Sequence, residues 1–112
     1  MVVGFDCEFI GDANVVGRKK AATIQLSTAT FCIVFWVANL QTLPETLEKV
    51  LKSKKILKVG VNSHEDAKAI TNSFGCPLEG VVDINYISLQ LGFADCKCST
   101  RVVLIVSLLK TR

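Results

Sequence analysis

The sequence predicts an α/β fold: a mixed sheet in which three antiparallel strands come first and β-α-β units follow, with helices packed against it. Two observations carry this reading. Up to residue 37 the apolar residues fall into three short runs separated by polar stretches, the pattern of an antiparallel meander. From residue 43 onward helical spacing alternates with short apolar runs, which points to parallel strands with crossovers.

Val2 to Ile10 reads as the first strand, and Gly11 to Lys20 as a polar loop with two glycines. Ala21 to Leu26 alternates, with Ala22, Ile24 and Leu26 on one face and Thr23 and Gln25 on the other. Ser27 to Thr30 is turn-like. Phe31 to Val37 is a continuous apolar run of β-branched and aromatic residues, so a buried strand is expected. Leu43, Leu47, Val50 and Leu51 then recur at helical spacing, with Pro44 suited to the first turn. Ile56 to Val61 reads as a strand. Ser63 opens a second helix with Ala67, Ile70 and Phe74 as its apolar side, stopped by Gly75 and Pro77. Val81 to Ile84 is a short strand, and Tyr86 to Leu91 a helix stopped by Gly92. Val102-Val103-Leu104-Ile105-Val106 shows no amphipathic period.

The 112 residues suffice for one small domain with one core. The division read from the pattern is a domain over 1–92 and a divergent tail over 93–112. The net charge of +3 is compatible with a nucleic-acid partner. Basic residues gather at Arg18-Lys19-Lys20 and at Lys52, Lys54, Lys55 and Lys58. Either group is suited to phosphate, and either serves equally as solvated surface. Five scattered cysteines, Cys7, Cys32, Cys76, Cys96 and Cys98, suggest free thiols with no disulfide partner. With no secretory signal in view, an intracellular setting, nucleus or cytoplasm, is expected. One histidine, His64, and the tight Cys96-Lys97-Cys98 spacing argue against a zinc site. The longest apolar run is far short of the ~20 residues that span a bilayer, so no membrane partner is expected.

Asp6-Cys7-Glu8 lies inside the first strand. Period-two alternation puts Val3, Phe5, Cys7 and Phe9 on one face and Gly4, Asp6 and Glu8 on the other. The two acids point the same way, roughly 7 Å apart at the backbone. Like charges so placed repel unless a cation sits between them, and Mg²⁺ or Mn²⁺ takes such oxygen ligands. A solvated acidic pair is the plainer alternative. A third carboxylate, Asp66, falls just after the strand that ends Val59-Gly60-Val61-Asn62, where α/β folds place their sites. Ser63 and Asp66 also fit a capping box, worth ~1 kcal/mol to the helix. On local sequence alone the cap is the stronger reading.

Taken in order, these pieces resemble the DEDD superfamily of 3′–5′ exonucleases, in the branch of ribonuclease D and the Werner-syndrome exonuclease domain. Val3-Gly4-Phe5-Asp6-Cys7-Glu8-Phe9 resembles the first exonuclease motif. Ala22 to Leu26 and Phe31 to Phe35 resemble the second and third strands, and Lys58 to Asn62 with Asp66 the second motif. The resemblance implies a ribonuclease H-like fold and two-metal-ion hydrolysis of a phosphodiester at a single-stranded 3′ end, RNA or DNA, with two Mg²⁺ or Mn²⁺ ions. Asp6, Glu8 and Asp66 would be the metal-holding catalytic residues. Phe9 and Asn62 would contact the terminal nucleotide, although core and turn roles suit them on local grounds. Lys19 and Lys20 would meet the nucleic acid.

The pattern departs from the family in one place. The third motif, Tyr-x-x-x-Asp or His-x-x-x-Asp, supplies a fourth acid and a water-orienting group. Here the only tyrosine, Tyr86, is followed four residues on by Gln90. The fold is therefore expected to be incomplete at the C-terminus, with weakened or absent turnover. A non-catalytic nucleic-acid-binding or interaction module on the same fold is the alternative.

Overall fold

The computed structural model describes residues 1–11 and 19–90. The Gly92 helix stop, the proposed 93–112 tail, Cys96 and Cys98 lie outside the described residues. The elements are β1 (Val2–Gly11), β2 (Lys19–Ser27), β3 (Cys32–Trp36), α1 (Glu45–Lys52), β4 (Leu57–Gly60), α2 (Ser63–Phe74), β5 (Val81–Asp83) and α3 (Ile84–Gln90). The strands form one mixed sheet in the order β3-β2-β1-β4-β5. β1 and β3 run antiparallel to β2, while β4 pairs in parallel with both β1 and β5. The ribonuclease H-like α/β sheet expected from the sequence is the observed fold. No helix among the described residues is long and apolar enough to cross a membrane, and Cys7, Cys32 and Cys76 are free thiols.

Alternation along β1 divides the molecule into two faces. Phe5 and Cys7 belong to the core cluster, which Ile24 of β2, Leu47 and Leu51 of α1 and Ile70 of α2 complete. Burying each of these large side chains contributes about 1.5–3 kcal/mol. Pro44 precedes α1, and Glu45–Lys49 and Glu48–Lys52 pairs line its solvent side, each worth a few tenths of a kcal/mol. Gly75, at φ 65°, closes α2 in the left-handed conformation that glycine adopts without a Cβ clash.

Three expectations require correction. The third apolar run is not a buried strand: β3 is the sheet edge, and Cys32, Ile33, Val34 and Trp36 are exposed. Its continuous apolar character mimics a central strand. The regular alternation in β2 is broken by a bulge: Thr23 pairs with Glu8 but Ala21 with Phe9, so Ala21 joins the core cluster in the place expected for Ala22. Lys58 is no surface cation. It is fully buried, and its Nζ donates to the carbonyl oxygens of Val50 (2.9 Å), Ser53 (2.7 Å) and Ile56 (2.7 Å). Val50 and Ser53 lie at the end of α1, at the negative end of the helix dipole, and Ile56 lies directly before β4. Burial lowers the Lys58 pKa, and Glu79 partly opposes that.

Candidate metal centre at the end of β1

β1 is longer than its parallel neighbour. β4 pairs only with Val2–Gly4, so from Phe5 onward no strand covers that side of β1 among the described residues. The chain leaves β4 at Gly60, where a Cβ would collide with the carbonyl oxygen of Phe5; glycine is required for this close approach. It then turns through Asn62, in the left-handed region at φ 55°, a conformation asparagine tolerates better than most residues. α2 starts at once, and its first turn brings Asp66 against the open side of β1.

The turn is fixed from β5. Asp83 Oδ1 accepts the backbone N–H groups of Asn62 (3.0 Å) and Asn85 (3.1 Å), and Asn85 Nδ2 donates to Asn62 Oδ1 at 3.0 Å. The Ser63 hydroxyl donates to the Val82 carbonyl at 3.0 Å. This overturns the capping-box reading. The residue before α2 is Asn62, with no side-chain cap bond; Ser63 is committed to β5, and Asp66 faces β1.

Asp66 is only 8% exposed. It lies close enough to the Asp6 carboxyl and the Cys7 backbone N–H for both to shift its proton affinity. Burial, then the charge and closeness of the Asp6 carboxyl, push the Asp66 pKa up to about 7, with Glu8 adding to the rise and the Cys7 N–H opposing it. Close carboxyls held this way favour keeping a proton on Asp66, and oxygen donors of this kind are the type a hard divalent cation takes in the proton's place. Asp6 and Glu8 themselves are exposed on the second face of the sheet.

Asp6 and Asp66 are brought together; Glu8 is near enough to repel Asp66 electrostatically. Among the described residues, however, no three acidic, thiol or imidazole groups converge as a closed metal cage. The Cys7 thiol, between the acids in sequence, is pushed far up by burial and by Asp66, Asp6 and Glu8, so it stays neutral and acts as core. Phe9 packs against the core cluster, and Asn62 forms the turn. Lys20 is exposed and pairs across the sheet with Ile10; Lys19 pairs with Gly11. His64 is exposed in the first turn of α2.

Sequence reasoning missed Asp83, the anchor of the site's turn. Its signal was an acid ending a short apolar strand, with asparagines at 62 and 85.

The profile of a 3′–5′ exonuclease domain matches residues 1–101. Exonuclease 3′-5′ domain-containing protein 2 of Drosophila melanogaster is 31% identical over 92 residues, covering 81% of this chain and 15% of the relative. The bifunctional 3′-5′ exonuclease/ATP-dependent helicase WRN of Mus musculus is 30% identical over 88 residues, covering 78% of this chain and 6% of the relative. The crystal structure of the EXD2 exonuclease domain soaked in Mn aligns with a TM-score of 0.65 at 30% identity, covering 80% of this chain and 46% of that one. The same domain soaked in Mg and GMP aligns at 0.63 and 29%, covering 79% and 45%. The chain therefore spans about half of the solved domain and a small part of the full-length relatives.

Proposed function

The chain belongs to the 3′–5′ exonuclease family, and on that footing we propose that it acts on the 3′ end of a single nucleic-acid strand, hydrolysing the terminal phosphodiester with divalent metal held by Asp6, Glu8 and Asp66. The observation that carries this reading is the Asp6–Asp66 carboxyl pair, with Asp66 at a pKa of about 7, built where β1 outruns β4. The Mn and Mg soaks of the solved relative support the choice of ion.

Divalent ions, when bound there, supply a water of lowered pKa and stabilise the departing oxygen. Asp6 would hold metal together with Glu8, two residues on along its own strand, and Asp66, which α2 brings against the open side of β1. Asp66 enters the reaction only after releasing its proton, so metal binding is expected to strengthen as pH rises toward 7 and above. Phe9 and Asn62 would line the terminal nucleotide, and Lys19 and Lys20 the phosphates that follow.

A second reading has its own observation. No Tyr-x-x-x-Asp or His-x-x-x-Asp motif lies within this sequence: Tyr86 is followed four residues on by Gln90. Without a fourth acid and a water-orienting group such chemistry slows by orders of magnitude, and a chain acting without them would bind strands without trimming them. A gel assay with 5′-labelled single strands, Mn²⁺ or Mg²⁺, and Asp6→Ala as control separates the two. The expected result is a metal-dependent ladder shortening from the 3′ end that disappears in Asp6→Ala. Intact strands with folded wild-type protein would establish the binding-only reading, and activity unchanged in Asp6→Ala would defeat the metal-centre assignment.

A further inference from the structure

We propose that Asn85 is a positioning residue for the acid Asp66: its side chain clasps Asn62 in the left-handed conformation from which α2 starts. The proposal rests on the metal-centre reading above. Among the described residues Asn62 is the one non-glycine residue with positive φ, at φ 55° and ψ 29°. Such a backbone is unfavourable for an L residue, and asparagine bears it only better than most. It persists where surrounding contacts over-determine it. Asn85, 23 residues further along the chain in the first turn of α3, donates from Nδ2 to Asn62 Oδ1 at 3.0 Å. Both residues are half-buried, so this bond is partly sheltered from competing water.

The direction of α2 follows from this one residue. The Asn62 carbonyl accepts the Glu65 N–H at 3.0 Å, so the first turn of the helix is built directly on the φ and ψ of Asn62. Asp66 lies in that turn, four residues on. A turn that relaxed toward negative φ would re-aim α2 and carry the Asp66 carboxyl away from Asp6, whereas metal ligands must be held to within about 0.5 Å. Asp83 holds the backbone N–H groups of Asn62 and Asn85, and Ser63 holds the Val82 carbonyl. The Asn85 amide acts differently, on the Asn62 side chain, and so favours asparagine in its left-handed state. Every partner in this clasp comes from the β4–α2 turn or the β5–α3 junction.

The test reads metal affinity with no nucleic acid present, so a nucleotide contact by Asn62 does not enter. Mn²⁺ would be titrated into the full chain, with free Mn²⁺ counted by electron paramagnetic resonance. The proteins are wild type, Asp6→Ala, Asn85→Ala, Asn62→Ala, Asn62→Gly and the double variant Asn62→Gly/Asn85→Ala, each checked for its fold by circular dichroism. Expected are binding by wild type that Asp6→Ala loses, a roughly three- to tenfold weaker affinity in Asn85→Ala, and a loss at least as large in Asn62→Ala. Glycine at 62 adopts positive φ freely and offers no side chain to clasp. Adding Asn85→Ala to Asn62→Gly should therefore change affinity by less than about twofold. A general structural role of Asn85 would weaken binding equally in both backgrounds, and that result would overturn the proposal. Wild-type affinity in folded Asn85→Ala would overturn it too, as would wild-type affinity in Asn62→Ala should Asn85→Ala not fold. In these cases the loss of binding in Asp6→Ala still upholds the metal centre. No Mn²⁺ binding by wild type, or binding unchanged in Asp6→Ala, would overturn the metal-centre reading and the proposal with it.

Discussion

At the scale of single residues, Asp66 is an acid whose chemistry is strongly altered by its place. An ordinary aspartate near 3.8 becomes one near 7 because α2 delivers it, desolvated, against Asp6. Between those values the folded metal-free protein holds a proton on Asp66 that the unfolded chain has lost, so this group's contribution to stability is full below about pH 4 and is lost as pH rises through 7. The slope from this group is at most about 1.4 kcal/mol per pH unit. Denaturant melts in EDTA should show wild type losing stability across this window relative to Asp66→Asn. Saturating Mn²⁺ should flatten the difference, and identical pH profiles for the two proteins would refute the assignment. Lys58 makes the opposite case, a buried cation with three fixed acceptors. Lys58→Met keeps the stem but orphans carbonyls at the end of α1, and should cost about 3 kcal/mol in urea unfolding, in line with losing a buried charged partner.

At the scale of elements, the helix–strand order was legible because period and punctuation agreed. Pro44, Gly75 and the switch from strand runs to helical spacing at Leu43 each mark a boundary that the structure keeps. What failed depended on neighbours. The run Phe31 to Val37 states that a strand forms, but its place at the edge is decided by pairing partners that local sequence does not name. The β2 bulge is set by two strands at once. Ser63 and Asp66 satisfy a capping pattern locally, and lose it to contacts from β5 and β1. Of the candidate site, the three acids are legible in the sequence and the turn that positions Asp66 is not. The turn between β4 and α2 hangs on Asp83, so Asp83→Ala should lower stability by about 1–3 kcal/mol through the two N–H groups left without an acceptor. Because the turn aims α2, the same change should weaken Mn²⁺ binding measured by calorimetry, although Asp83 is not placed among the ligands. Unchanged metal affinity in a folded Asp83→Ala protein would show that α2 is positioned by other contacts.

At the scale of the whole molecule, the distribution of charge matters more than its sum of +3. The two basic clusters that look equivalent in sequence lie at opposite ends of the sheet. The carbonyl of Lys55 accepts the N-terminal amine of Met1, which fixes Lys54 and Lys55 beside the start of β1. Asp6 is five residues further along, about 16 Å away at strand rise. Lys58 is withdrawn into the core and contributes nothing to an external field of contacts. Lys20 alone among these exposed lysines shares the face of Asp6 and Glu8. A strand bound at that face therefore releases counterions through Lys20 and not through the distant pair. For single strands each neutralised phosphate contributes a slope of about −0.7 in log affinity against log salt. Lys20→Ala should reduce the measured slope by about that amount, and the double variant Lys54→Ala/Lys55→Ala should leave both slope and affinity near wild type. The reverse pattern would place the strand at the far end of the sheet, where it could not reach Asp6, Glu8 and Asp66 by a short path.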